Sequence, residues 1–267
     1  MRVSLLITCV VDVVAPDVGE ASVRLLRAAG CDVTVNLAQT CCGQPGWNAG
    51  FADDAAAVAR TTLAALEADL DAGAEAVVVP AGSCATMVRV FWPELFEVVG
   101  DHDAATRARR VGERTRELSE LLAARAERLP PLRLHRPVRV ALHESCHMLR
   151  ELRIDEAPRQ LVAAVEGCDA VPWAGSDRCC GFGGTFSVKL PETSVAMADQ
   201  KLRDLDAGAA DADLLVGCDT SCLMHLQARA DVTGPPIHIR HLAEVLAAAL
   251  PEPPAPGRGP APRERRG

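Results

Sequence analysis

The sequence contains no tyrosine, and aromatic residues make up only 3% of its 267 positions. The interior has to be built from Ala, Val and Leu. Basic charge is also scarce: 28 Lys and Arg stand against 36 Asp and Glu, a net charge of −8. A surface of that sign excludes a phosphate backbone as ligand, so no nucleic acid partner is expected. No uninterrupted apolar stretch approaches the roughly 18 residues of a membrane-spanning helix, so no membrane span is expected. The apolar start, Met1 to Val11, is cut by Asp12 and followed by Asp17 and Glu20. It reads as a buried strand ending at Cys9 rather than as a secretory leader. No G-x-G-x-x-G or phosphate loop occurs: Gly181-Phe182-Gly183-Gly184 does not match. Hydride chemistry by this chain alone is therefore not expected.

Cysteine, by contrast, is abundant, with 11 residues. With no leader expected, these read as metal or redox thiols of a cytoplasmic protein rather than as a disulfide framework. Their register is repetitive. Cys9 and Cys146 are 137 positions apart, as are Cys31 and Cys168. Cys41 and Cys179, Cys42 and Cys180, and Cys84 and Cys222 are each 138 apart. Gly30-Cys31-Asp32 recurs as Gly167-Cys168-Asp169, and Cys41-Cys42-Gly43 as Cys179-Cys180-Gly181. The chain reads as a tandem duplication. A length of 267 residues is comfortable for two units of about 130 residues each.

Each copy alternates β-rich runs with Ala/Leu-rich amphipathic segments. The predicted strands are 2–8, 33–36 and 76–79 in the first copy, and 137–142, 170–172 and 213–216 in the second. The predicted helices are 18–29 and 52–72, then 158–166 and 192–207. This rhythm implies an α/β fold: two small duplicated units with parallel-type sheets, related by a pseudo-two-fold axis. The expected division is a first cysteine-rich domain at 1–102, a connecting segment at 103–136, a second cysteine-rich domain at 137–250, and a disordered tail at 251–267. Residues 103–128 are expected to form one charged helix spanning the back of the molecule. Its Arg-rich stretch, 107–116, is expected to be a solvated face.

In parallel sheets, ligands gather beyond the carboxyl ends of the strands. Cys9, Cys84, Cys146 and Cys222 fall at such ends, and the two Cys-Cys-Gly turns follow the second strand of each copy. Each copy can therefore gather four thiols: Cys9, Cys41, Cys42 and Cys84, then Cys146, Cys179, Cys180 and Cys222. Four thiolates suit a soft metal centre. Adjacent cysteines place both sulfurs poorly on one small ion but can reach two irons of a cluster. The spacing thus favours an iron–sulfur cluster in each half, with zinc in one half as the alternative.

The remaining candidates have blander readings. Cys31 and Cys168 read as buried small hydrophobes, and Cys218, whose repeat counterpart is Pro80, as structural. Met87 and Met224 read as core packing. Gln44, Asn48 and Lys189 flank the Cys-Cys-Gly turns, as outer donors or solvated loop residues. His143-Glu144-Ser145-Cys146-His147 fits the H-E-x-x-H expression of zinc proteases. That motif needs a helix, whereas this one follows a strand. His143 and His147 are expected to line or hydrogen-bond the second site instead.

The pattern Cys-x31-Cys-Cys-x41-Cys followed by Cys-x32-Cys-Cys-x41-Cys, with Gly after each pair, resembles the tandem CCG cysteine-rich family. That family includes heterodisulfide reductase B subunits, glycolate oxidase iron–sulfur subunits and the lactate-utilisation A proteins. The segments Cys41-Cys42-Gly43-Gln44-Pro45-Gly46, Pro80-Ala81-Gly82-Ser83-Cys84 and Cys179 to Lys189 look most like the last group. The resemblance implies an iron–sulfur electron-transfer subunit, with a four-iron cluster in each half, acting in oxidation of L-lactate to pyruvate. It implies as partners a ferredoxin-type iron–sulfur protein and a third subunit. The other branches leave a heterodisulfide-reductase-like or glycolate-oxidase-like subunit as alternatives, beside a zinc-stabilised scaffold without enzymatic activity. The heterodisulfide reductase pattern ends each motif in Cys-x-x-Cys. Here Cys84 is followed by Ala85-Thr86-Met87, so the first half lacks the fifth thiol.

Overall fold

The computed structural model describes residues 1–233 and 235–252. The tail expected to be disordered falls mostly outside these residues. The first half runs β1 (Arg2–Leu5), α1 (Cys9–Val14), α2 (Pro16–Ala28), β2 (Asp32–Thr34), α3 (Gln44–Asn48), α4 (Ala52–Asp71), β3 (Ala76–Val79), α5 (Gly82–Thr86), α6 (Trp92–Val98), α7 (His102–Arg114), β4 (Thr115–Glu117) and α8 (Leu118–Ala124). The second runs β5 (Leu132–His143), α9 (Glu156–Ala163), β6 (Val165–Val171), α10 (Phe186–Lys189), α11 (Pro191–Ala209), β7 (Leu214–Gly217), α12 (Thr220–Thr233), β8 (His238–His241) and α13 (Leu242–Ala248).

Each half holds one four-stranded, wholly parallel sheet, in the orders β2-β1-β3-β4 and β6-β5-β7-β8. The two orders are the same, as the duplication requires. Strand residues alternate between two cores, following the period of two along a pleated strand. In β3, Val78 faces the shared interior, while Val77 and Val79 face a separate core under α4, α6 and α7. In the second half, Val216 joins the shared interior and Leu215 a core under α11 and α12.

The shared core lies between the sheets and is filled by Leu25, Leu26, Leu121, Leu122, Leu161, Val162 and Leu246. Four helices supply it. α2 packs on α13 and on α8, and α9 packs on α8 and on α13. Exchanging the halves converts α2 into α9 and α8 into α13, which leaves this contact scheme unchanged. Likewise α1 touches α12, while the turn 148–152 after Cys146 touches α5. These reciprocal contacts are the expected pseudo-two-fold relation.

The single connecting helix is not observed. α7 stops at Arg114 and residues 115–117 become β4, which pairs with β3 through Val77 opposite Thr115 and Val79 opposite Glu117. α8 then starts afresh, with Glu117 as its cap: Glu117 accepts from the Ser119 and Glu120 amides, and Glu120 accepts from the Glu117 amide. The open edge of β3 and this capping box outweigh the helical propensity of the charged stretch. The Arg-rich face is largely solvated, as expected, and carries surface ion pairs to its neighbours. Arg107 holds Glu67 of α4 with two nitrogens, Arg109 holds Glu97 at 2.7 Å, and Arg110 pairs with Asp71. These pairs fasten α7 to its neighbours. β8, the counterpart of β4, was also invisible to the strand pattern.

Candidate metal centre

The central strands of each sheet point their carboxyl ends at the same region. β1 ends at Leu5, and Thr8 then caps α1 by accepting from the Val11 amide at 3.3 Å, which sets Cys9 in the first turn of that helix. β3 delivers Cys84 within α5, β5 delivers Cys146, and β7 delivers Cys222 in the first turn of α12. β1 and β3 are adjacent, yet their connections leave in opposite directions across the sheet, which opens a crevice at the strand ends.

The Cys-Cys-Gly turns need their glycines. Gly43 has φ +85° and Gly181 φ +88°. A Cβ on Gly43 would stand 2.7 Å from the Ala55 carbonyl oxygen, and one on Gly181 2.5 Å from that of Ser194. Only glycine meets both demands. The first turn is pinned by Trp92, whose indole N–H donates to the Cys42 carbonyl at 2.8 Å, and by Thr62, whose hydroxyl donates to the Cys41 carbonyl at 3.1 Å. The second is pinned by Lys201, buried at 1% exposure. Its ammonium donates to the carbonyls of Gly175, Ser176 and Arg178 at 2.8, 3.0 and 2.6 Å. Burial lowers the Lys201 pKa to about 8.

All eight cysteines line one cavity of about 110 Å³. In the first half, the sulfurs of Cys9 and Cys41 are 3.4 Å apart, and those of Cys42 and Cys84 also 3.4 Å. The thiols form a hydrogen-bonded chain from Cys9 through Cys41 and Cys42 to Cys84. Hydrogen bonds from Cys42, Cys9 and the Gly43 amide hold Cys41 as the thiolate, with its pKa lowered to about 2. The Cys9 and Cys42 thiols that donate to it are pushed up. The second half repeats this. Cys146 and Cys180 bond Cys179, which is lowered to about 2, while Cys146 and Cys180 themselves rise. Backbone amides of Gly181 and Phe182 point at the sulfurs of Cys179 and Cys180, each at 3.4 Å.

Such a donor set fits a soft metal centre: sulfurs packed against one another, amides aimed at them, and a room they share. Cys31 and Cys168 lie in the core away from it. So does Cys218, which packs near Ser119 and Glu117 and is pushed up by burial. Met87 is fully buried core, as expected, but Met224 is 36% exposed. Gln44 and Asn48 line the cavity, whereas the Lys189 ammonium sits 5.2 Å above the Phe51 ring. His147 lines the cavity too, 3.4 Å from the Gln44 amide nitrogen across the halves. His143 is the last residue of β5, and His147 lies in the short helical stretch that follows it. The zinc-protease motif is therefore not formed on one helix face. Asp219 was not singled out by the sequence. It accepts from the Ser83 amide of the other half at 2.8 Å and thereby ties the Cys84 and Cys222 turns together.

Residues 3–89 and 140–227 each match the cysteine-rich domain known as CCG. The chain belongs to the CCG cysteine-rich domain family. It is 41% identical over 246 residues to Lactate utilization protein A of Exiguobacterium sp., covering 92% of this chain and 96% of the relative. It is 39% identical to Lactate utilization protein A of Geobacillus thermodenitrificans, covering 92% and 98%. Lactate utilization protein A 2 of Bacillus cereus is 38% identical over 250 residues, covering 94% and 99%. Each CCG match contains one set of four thiols and ends before the last strand of its sheet, β4 or β8. Among the described residues, no helix is long and apolar enough to cross a membrane.

Proposed function

We propose that this CCG chain is an iron–sulfur electron-transfer component of a system that oxidises L-lactate to pyruvate. The observation that carries the reading is the gathering of eight thiols around one cavity in a chain of this family. The names of its relatives supply the substrate. Cys9, Cys41, Cys42 and Cys84 would hold one centre, and Cys146, Cys179, Cys180 and Cys222 the other, each of the four-iron type. Bound there, an iron–sulfur centre supplies reversible one-electron storage.

The protein's own residues do the rest. Cys41 and Cys179 are already poised as thiolates, and the remaining thiols release their protons on loading. The amides of Gly43, Gly181 and Phe182 offset negative charge on the sulfurs. Conversion of lactate to pyruvate releases two electrons and two protons, and the chain passes the electrons on singly. Its partners are a ferredoxin-type iron–sulfur protein and a third subunit. All eleven cysteines are unpaired, which suits the reducing cytoplasm. The heterodisulfide-reductase-like reading is weakened by Met87, which is packed in the core where the fifth thiol would stand.

The test is the iron, acid-labile sulfide and zinc content of protein purified without oxygen, followed by addition of lactate with the partner proteins. Iron and sulfide matching two clusters, with lactate-dependent bleaching, is the expected result. Zinc without sulfide would overturn it. Cys42→Ser and Cys180→Ser should each remove the centre of one half.

A further inference from the structure

His143 is 4% exposed, and neither of its ring nitrogens has a hydrogen-bond partner. An imidazole left so is costly, because each buried ring nitrogen gives up water without gaining a partner. One of its nitrogens and the sulfurs of Cys180 and Cys222 lie within 4.8 Å of one another. The three donor atoms are thus gathered within reach of one centre, while no hydrogen bond joins the ring to either sulfur. The Ser176 carbonyl faces the ring without completing a hydrogen bond to it. That carbonyl is fixed by the Glu144 amide at 2.9 Å and the Lys201 ammonium at 3.0 Å. It is placed to accept the second ring N–H, as the outer partner of a metal-bound histidine commonly does.

The first half has nothing equivalent. The repeat register that equates Cys146 with Cys9 equates His143 with Leu6, which is 1% exposed and packed with Cys42 in an apolar core. A CCG unit therefore folds without an imidazole at this position. Lys201 likewise replaces Leu63, also wholly buried.

We propose that His143 is a nitrogen ligand of the second half's metal centre, beside Cys180 and Cys222, so that the two centres differ in kind. This rests on the metal-binding reading above. The first centre is held by thiolates alone, the second by thiolates and a neutral imidazole. On a four-iron centre His143 takes the place of one of the four thiolates, and exchanging an anionic ligand for a neutral one raises the potential of a cluster; the ammonium of Lys201 acts in the same direction. The second half is then the better electron acceptor, and the duplicated sheets give electrons a direction.

The experiment uses the full chain purified without oxygen, reduced, and examined by pulsed electron paramagnetic resonance with and without 15N-histidine. A strongly coupled nitrogen that changes with the label, persists in His147→Gln and is lost in His143→Leu is the expected result. The higher of the two reduction potentials should fall in His143→Leu. The labelling result on the unmodified chain stands even if that variant folds poorly. Full iron and sulfide without a strongly coupled histidine nitrogen would overturn the proposal and leave the iron–sulfur reading intact. A coupling lost in His147→Gln instead would also overturn it. Absence of iron and sulfide from the unmodified chain would overturn the underlying reading as well.

Discussion

Glu117 offers a sharp test of how the two halves are joined. It ends β4, caps α8 and is wholly buried at the seam, in a small cavity shared with Cys218 and His241. Burial raises its pKa from 4.5 to about 7, against hydrogen bonds from Ser119 that favour the charged form. One of its carboxylate oxygens has no partner. A carboxyl whose pKa is raised by folding contributes full stability below its unfolded pKa of 4.5. That contribution is lost as pH rises through 7. At about 1.4 kcal/mol per pKa unit, the whole effect is about 3 kcal/mol. Burial pushes His241 the other way, down to about 4, so its penalty grows as pH falls. The two trends largely mask each other in the natural chain.

Glu117→Gln removes only the first trend and can still accept from the Ser119 amide. Urea unfolding should be followed through the buried Trp92 and Trp173 for both chains, without oxygen, from about pH 5.5 to pH 8. Contributions from His241, the thiols and any metal cancel in the difference. The variant should gain about 2 kcal/mol relative to the natural chain over that range. A difference that stays flat with pH would refute the argument and mean that Glu117 is not desolvated at the seam.

Two further outcomes follow from the Cys-Cys-Gly turns. Gly43→Ala and Gly50→Ala share nearly the same backbone, φ +85° and +83°, but only Gly43 faces a wall. Thermal melts should show Gly50→Ala costing about 1 kcal/mol for the left-handed conformation. Gly43→Ala should cost a further 1–3 kcal/mol or so for overpacking and take up less iron. Lys201→Met removes the ammonium donor from three carbonyls, of which that of Arg178 is left without a partner, and should cost about 2 kcal/mol in denaturant titration. Chelator challenge should then strip the second centre faster than the first. Equal losses from both halves would count against the assigned role.

The thiol set was legible because metal ligands are conspicuous residue types and duplication repeats their spacing. The constant offsets of 137 and 138 picked out five cysteine pairs; the structure gathers Cys9, Cys41, Cys42, Cys84 and their four counterparts and leaves Cys31 and Cys168 in the core. The strands at 2–5 and 76–79 and the helix at 52–71 were legible for a related reason: apolar periodicity is a local property. β4 and β8 were not legible. Three or four residues carry little pattern, and they become strands only because an open sheet edge offers hydrogen bonds. The Arg-rich face is solvated as expected, but charge density says nothing about which acids a folded neighbour presents to it.

The sequence by itself determined which thiols recur at matching positions in each half, that a glycine follows each adjacent pair, and that each half alternates strands with helices. Tertiary structure alone decided that both thiol sets open into one cavity, that Asp219 ties their turns together, and that His143 stands unpartnered beside two sulfurs. The physical reason is range. Turn geometry and periodicity are set by neighbours along the chain, within a few residues. The orientation of one sheet to the other is set by the packing of α2, α8, α9 and α13, helices from different parts of the chain that meet only in the shared core.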